Sequence, residues 1–312
     1  MKITFTGDGA SAYAERLPPF LAIGDIGLAG ALRAFADKRW KYNWDFYLPL
    51  GLPLAQNKAV QLLHFPPDYV LKEVQDYLQA NTTKRWAALL IENGADAAET
   101  DAYQAIVDIA PVSAPASDGQ KLEGIYKYFT SYIDGLLDFW TIDSKSGNLK
   151  PLVAFGGPVR EYLKDRYGLD LNILGLGEIP VKGGRHAPVL SANHPSRFYN
   201  AINAYLDEHK NDVVGAVHMG MKIQHDDLIA ACWEVAAAKD ISAPDATLTT
   251  CQARWENRDA DICKLVILQR FPDDADAAKV CEMDDLATYR SITEAQIEAI
   301  EAAQESTAME VQ

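Results

Sequence analysis

The sequence predicts an α/β fold, and three observations carry that reading. Pro151-Leu-Val-Ala-Phe-Gly-Gly-Pro158 is a short apolar run closed by two glycines and a proline, the pattern of a buried strand ending in a tight turn. Val159, Tyr162, Leu163 and Tyr167 then recur at helical spacing until Gly168 stops the turn. A second apolar run, residues 187–192, ends abruptly in Asn193-His194-Pro195-Ser196-Arg197, so several hydrogen-bonding side chains gather around one proline just beyond a strand. In α/β sheets ligands bind outside the carboxyl ends of strands. That makes this loop the leading candidate site.

Near the start, Phe20-Leu-Ala-Ile reads as a strand, Gly24-Asp25-Ile26-Gly27-Leu28-Ala29-Gly30 as a glycine-rich turn, and the residues from Ala31 as a helix. Gly24 and Gly27 let backbone approach a ligand closely, and Asp25 is the only carboxylate in the turn. The spacing G-x-x-G-x-x-G falls short of a dinucleotide fingerprint. Residues 39–53 are dense in aromatics and prolines. Tyr42, Asn43, Trp44 and Phe46 are either pocket walls on which a base could stack or rings that fill space in a core-covering loop.

The rest of the chain follows the same grammar. An amphipathic segment spans 68–80, and Trp86-Ala-Ala-Leu-Leu-Ile91 reads as a buried strand ending in the turn Glu92-Asn93-Gly94. Residues 111–120 are linker-like, and apolar positions from Leu122 to Trp140 predict a helix packed on the sheet. Helices are expected over 198–209 and 226–238, whereas 212–219 fits a strand or the start of a helix. Residues 247–255 and 262–271 suggest a hairpin, and an acidic, Ala-rich helical tail closes the chain. The expected organisation is a core domain over 1–245 and a C-terminal hairpin and tail over 246–312.

Composition narrows the function. The net charge of −15 opposes unspecific attraction to nucleic acid, so any DNA contact needs a locally positive face. Candidates beside the motif are Arg160, Lys164, Arg166, Lys182, Arg185 and Arg197. The four cysteines, Cys232, Cys251, Cys263 and Cys281, contain no C-x-x-C pair and are expected to be free thiols in a reducing compartment. His218 and His225 with Asp226 and Asp227 lack a trustworthy ligand spacing, so no metal site is expected. With neither a signal peptide nor a membrane span visible, a cytoplasmic protein is expected. No G-x-S-x-G elbow or P-loop is present.

The strand Leu152-Val-Ala-Phe, its glycine turn and helix, followed by a strand ending His194-Pro195-Ser196, resemble the second half of the uracil-DNA glycosylase superfamily. The resemblance implies a three-layer sandwich with a mostly parallel central sheet and hydrolysis of the N-glycosidic bond of a damaged base in DNA. It puts His194 on the base oxygen and Asp25 on the attacking water. Gly24, Gly27, Phe46, Gly156, Asn193, Ser196 and Arg197 would bind the substrate. It implies single- or double-stranded DNA as partner; no metal or cofactor is expected, because the cysteine spacing does not suit a zinc or iron-sulfur site. The superfamily's Gly-x-Asp/Asn-Pro order is absent, and its catalytic position falls on Ile26 when Gly24 is aligned. Two alternatives therefore stay open: an inactive relative that binds nucleic acid or protein, and an unrelated α/β hydrolase using Asp25 with a histidine.

Overall fold

The computed structural model describes residues 2–3, 45–47, 57–65, 81–114, 119, 122, 124–143, 146–209 and 213–255. Strands in chain order are β1 (Lys2–Ile3), β2 (Asp45–Tyr47), β3 (Val60–Leu63), β4 (Ala105–Asp108), β5 (Val112–Ser113), β6 (Leu152–Phe155), β7 (Leu176–Val181) and β8 (Arg185–Ala192). Helices are α1 (Asn81–Glu92), α2 (Thr130–Trp140), α3 (Gly157–Tyr167), α4 (Arg197–Glu208), α5 (Val213–Ala237) and α6 (Pro244–Arg254). The chain divides into two compact units, Met1–Pro195 with Ile229–Cys251, and Ser196–Leu228 with Gln252–Gln312.

In the first unit the central sheet runs β4-β3-β6-β8-β7. Pairs β3/β4, β3/β6 and β6/β8 are parallel, and β7 joins the edge antiparallel. The residues of β3, β4 and β6 are all buried, as expected for parallel strands covered on both faces. Val60, Leu62, Val107, Leu152 and Ala154 face one layer, in a core shared with Tyr132, Ile133, Leu136 and Leu137 of α2 and Tyr162 and Leu163 of α3. The alternate residues face the opposite layer: Phe155 meets Trp86 of α1 edge to face at 4.6 Å, and Gln61 hydrogen-bonds Glu234 of α5. Helices thus cover both faces of the sheet, the three-layer α/β arrangement. A small antiparallel sheet, β1-β2-β5, is also formed.

The expected strand, glycine turn and helix are present as β6, Gly156 and α3. Pro158 sits in the first turn of α3, where its missing N–H costs nothing. Gly168, left-handed at φ 73°, closes the helix by donating to the carbonyls of Leu163 and Lys164. Of the helix expected over 122–140 only Thr130–Trp140 is α-helical, preceded by a 3-10 turn at Ile125–Tyr128; the helix over 198–209 forms, and 213–237 is one continuous helix.

Three expectations are corrected. Residues 86–91 are not a strand but the second half of α1: Thr83, Trp86, Leu89 and Leu90 are buried while Ala88 and Ile91 are exposed, a helical period that a short apolar run conceals. Residues 247–254 belong to α6 and not to a hairpin. The hydroxyls of Thr247, Thr249 and Thr250 donate to the carbonyls four residues back, which accommodates these β-branched residues within a helix. The second half of that hairpin lies outside the described residues. Finally, Cys232 and Cys251 are not free thiols: α5 and α6 fold back on each other and join them in a disulfide, with Cα atoms 5.7 Å apart.

The layer under α1 and α5 contains a buried carboxyl. Glu234 is fully buried and accepts hydrogen bonds from Gln61 Nε2 at 3.1 Å and Trp86 Nε1 at 2.7 Å. Both donors are neutral, so burial dominates and pushes its pKa up to about 8. The folded carboxyl therefore keeps a proton that the unfolded chain releases near 4.5. Stability falls as pH rises between those values, at about 1.4 kcal/mol per pH unit from this one group. Urea unfolding from pH 7 to 8, above the ordinary histidine range, will show this decline, and Glu234→Gln will flatten it; an unchanged slope in the variant would contradict the assignment. Replacing Cys232 with Ser should lower stability by about 3 kcal/mol under oxidising conditions. Denaturation midpoints compared with and without reductant test this, since a bridge present only in the wild type makes the wild type alone reductant-sensitive.

Candidate functional site

Strand order locates the site. From β3 the chain passes through α1, on one face, to β4; from β6 it passes into α3, on the other face, and β6 lies against the opposite side of β3. Adjacent parallel strands whose connections leave in opposite directions open a crevice at their carboxyl ends, the usual ligand position in a doubly wound sheet. Just past these ends lie His64 after β3, Gly156 after β6, and Asn193 and His194 after β8.

Backbone bonds hold these ends together. The Gly156 N–H donates to the Ala192 carbonyl at 3.0 Å, tying the loop after β6 to the end of β8. Gly156 adopts φ 86° and ψ 173°, a conformation essentially reserved for glycine. A Cβ at that position would also lie 3.4 Å from the His194 Cβ, so the turn and the histidine are packed side by side. On the far side of β8, the Leu174 N–H donates to the Ser191 carbonyl, and the Ser191 N–H donates to the Gly175 carbonyl. One residue thus opposes two, a bulge of the kind that bends a strand end and re-aims the side chains beyond it. Leu174 there has φ 61°, unusual for a bulky residue.

Both histidines are neutral at physiological pH. Enclosure lowers the His194 pKa to about 4, although the residue as a whole is half-buried. His64 is also lowered to about 4, first by burial and then by the electrostatic influence of His194. A hydrogen bond between the His64 ring and the Leu122 backbone acts in the opposite direction. The His64 ring stands edge to face with Phe65 at 4.9 Å. Asp108, buried at the end of β4 and paired with Leu63, adds a carboxylate to the same sheet edge.

No family model matches the chain, and neither a curated protein nor a solved structure matches it.

Of the residues expected to form the site, Gly156, Asn193 and His194 come together at the carboxyl edge of the sheet. Asn193 is buried there. Ser196 and Arg197 belong to the second unit, where Arg197 begins α4 and Ser196 precedes it. Phe46 lies in β2, paired with Ile3 and Val112 of the small sheet. Asp25, Gly24 and Gly27 lie outside the described residues. Of the basic candidates, Lys164 pairs with Asp170 at 2.7 Å, Arg166 with Asp134, and Arg185 bonds the Gly147 carbonyl. Lys164 and Arg166 thus each face a carboxylate of the fold itself. Among the described residues no group of three or more His, Cys, Asp or Glu side chains could hold a metal ion, and no helix is long and apolar enough to cross a membrane.

Sequence reasoning missed His64. Its signal was present: Ala59-Val-Gln-Leu-Leu63 is an apolar run followed by His64, Phe65 and two prolines, a strand and breaker much like those around Gly156. The low imidazole values have a direct consequence. Each ring is neutral when folded and charged when unfolded between about pH 4 and 6.5, so stability declines as pH falls through that window. Nitrogen-detected NMR of the imidazoles should show neither ring of His64 or His194 titrating between pH 8 and 5. A midpoint near 6.5 for either would place that ring in solvent.

Proposed function

We propose that this is a uracil-DNA glycosylase-like protein whose carboxyl-edge crevice takes a nucleobase turned out of DNA and supports hydrolysis of its N-glycosidic bond. The observation that carries the reading is the placement of His194. It follows a parallel strand, sits against the glycine turn of the neighbouring strand, and borders the crevice at which the sheet reverses direction. The superfamily resemblance asks for the same order: strand, glycine turn and helix, then a strand ending in His-Pro-Ser.

Hydrolysis breaks the bond between C1′ and the base nitrogen, with the electron pair leaving on the base, while a water oxygen adds to C1′ and releases a proton. Negative charge grows on the base oxygen and positive charge on the sugar. A preorganised donor aimed at that oxygen is worth most in a site shielded from water. His194, enclosed and neutral at pH 7, suits the role because a neutral imidazole donates without bringing a competing cation. Extruding the base costs a few kcal/mol, which the pocket must offset. Asp25, to which the resemblance gives the water, lies outside the described residues.

A second reading, a relative that binds a base without cleaving, is favoured by one feature. After β3, the first strand of the central sheet among the described residues, the sequence continues His64-Phe65-Pro66-Pro67 and lacks the superfamily's Gly-x-Asp/Asn-Pro order. Incubation with uracil-containing single-stranded and duplex oligonucleotides, then treatment with alkali, separates the two. Cleavage that falls at least about a hundredfold in His194→Ala supports hydrolysis. Gel-shift binding without cleavage supports the non-cleaving relative, and neither binding nor cleavage overturns the nucleobase reading.

A further inference from the structure

Helices α5 and α6 are held to the fold by different means. Over residues 229–237 α5 is buried at nearly every position, and Glu234 ties it to Gln61 and Trp86. By contrast, Cys251 is the single buried residue of α6. The helix reads Pro244-Asp-Ala-Thr-Leu-Thr-Thr-Cys-Gln-Ala-Arg254, with one large aliphatic side chain, Leu248, which is half-buried. It also carries Thr247, Thr249 and Thr250, a residue type of low helix propensity. A helix of 11 residues with so little apolar surface to bury is marginal in water. At its start the Trp233 Nε1–H donates to the Pro244 carbonyl at 3.2 Å, and in its last turn Cys251 is bonded to Cys232. The bridge joins residues 19 positions apart, so it restrains the chain between them even when α6 opens. With that restraint removed, opening of the helix becomes about a hundredfold more favourable. Both cysteines are buried, but helix ends fray, and Cys251 lies in the turn that frays.

We propose that the Cys232–Cys251 disulfide is a redox latch: its reduction releases α6 from α5 while the central sheet and residues 229–237 stay folded. A thiolate of a dithiol reductant attacks Cys251 Sγ, and the Sγ–Sγ bond breaks with its electron pair leaving on Cys232 Sγ, which takes up a proton. The reductant's second thiolate then closes a disulfide within the reductant and displaces Cys251 Sγ, which takes up the second proton. Two electrons and two protons thus pass from the dithiol to the protein. Release of α6 uncovers Cys232 and the Trp233 indole, whose N–H loses the Pro244 carbonyl. Such a latch acts whatever ligand the crevice takes, and it answers to the thiol–disulfide balance of the surroundings.

Hydrogen exchange of the full-length protein, first oxidised and then held in dithiothreitol without denaturant, tests the latch. Alkylation after a denaturing quench, followed by peptide mass mapping, establishes the state of Cys232 and Cys251 in each sample. In the reduced protein the amides of residues 248–254 should exchange about a hundredfold faster and the indole N–H resonance of Trp233 should shift, while the amides of β3, β6 and β8 keep their protection. Cys251→Ala should show the fast exchange with and without reductant. Unchanged exchange over residues 248–254 once both thiols are reduced would overturn the latch, because α6 would then be held without the bridge. Loss of protection spreading to β3, β6 and β8, a bridge that dithiothreitol leaves intact, or its absence from the oxidised protein would overturn it equally. The wild-type comparison decides the matter even if the variant fails to fold.

Discussion

The parallel pairing of β3 with β6 is the constraint on which the candidate site depends. Val60, Gln61 and Leu62 stand opposite Leu152, Val153 and Ala154, and the Val60 N–H extends the ladder to the Pro151 carbonyl. With β4 on the other side of β3, and α1 and α3 on opposite faces, that pairing creates the reversal point of the sheet. His64 and Gly156 then emerge at one edge, and the pairing of β6 with β8 brings Asn193 and His194 to the same edge. The chemistry proposed for the crevice depends on strand order first and on side chains second.

The layer on the Gln61 face shows how the fold tolerates polarity at its centre. A glutamine in a fully buried strand is costly unless it is hydrogen-bonded. Glu234 accepts from it and from the Trp86 indole, so one side chain satisfies two buried donors. Retaining a proton on that carboxyl is less costly than burying a charge with no cation beside it. The Cys232–Cys251 bridge and the hydrogen bond from Trp233 Nε1 to the Pro244 carbonyl at 3.2 Å fasten the same helix to α6. Position along α5 therefore links the bridge to the polar contact on the sheet.

The features legible in the sequence were those that glycine and proline punctuate. Gly156 and Gly168 bracket α3, and Pro195 ends the run of β8, so both were visible as local patterns. Strand β3 was not: it has four residues with Gln61 inside, and its partner in the buried network, Glu234, is remote in the chain. β4 is equally short and ends in a buried aspartate, Asp108, which reads as a surface residue. Trp86 to Ile91 carried strand-like composition but forms a helix in which Trp86, Leu89 and Leu90 are buried together, at a helical spacing. The disulfide depended on the turn between α5 and α6, a tertiary fact that cysteine spacing does not encode. For the site, the His-Pro-Ser loop and Gly156 were legible, whereas His64 required the strand order, which parallel pairing fixes over long separations.

Backbone NOEs in a deuterated sample address the strand order itself. The account predicts contacts between Val60–Leu62 and Leu152–Ala154 in parallel register, and between Ala154 and Ser191 in the next pair. Absence of the first set, or an antiparallel pattern in its place, would remove the crevice between His64 and Gly156 and contradict the site built on it.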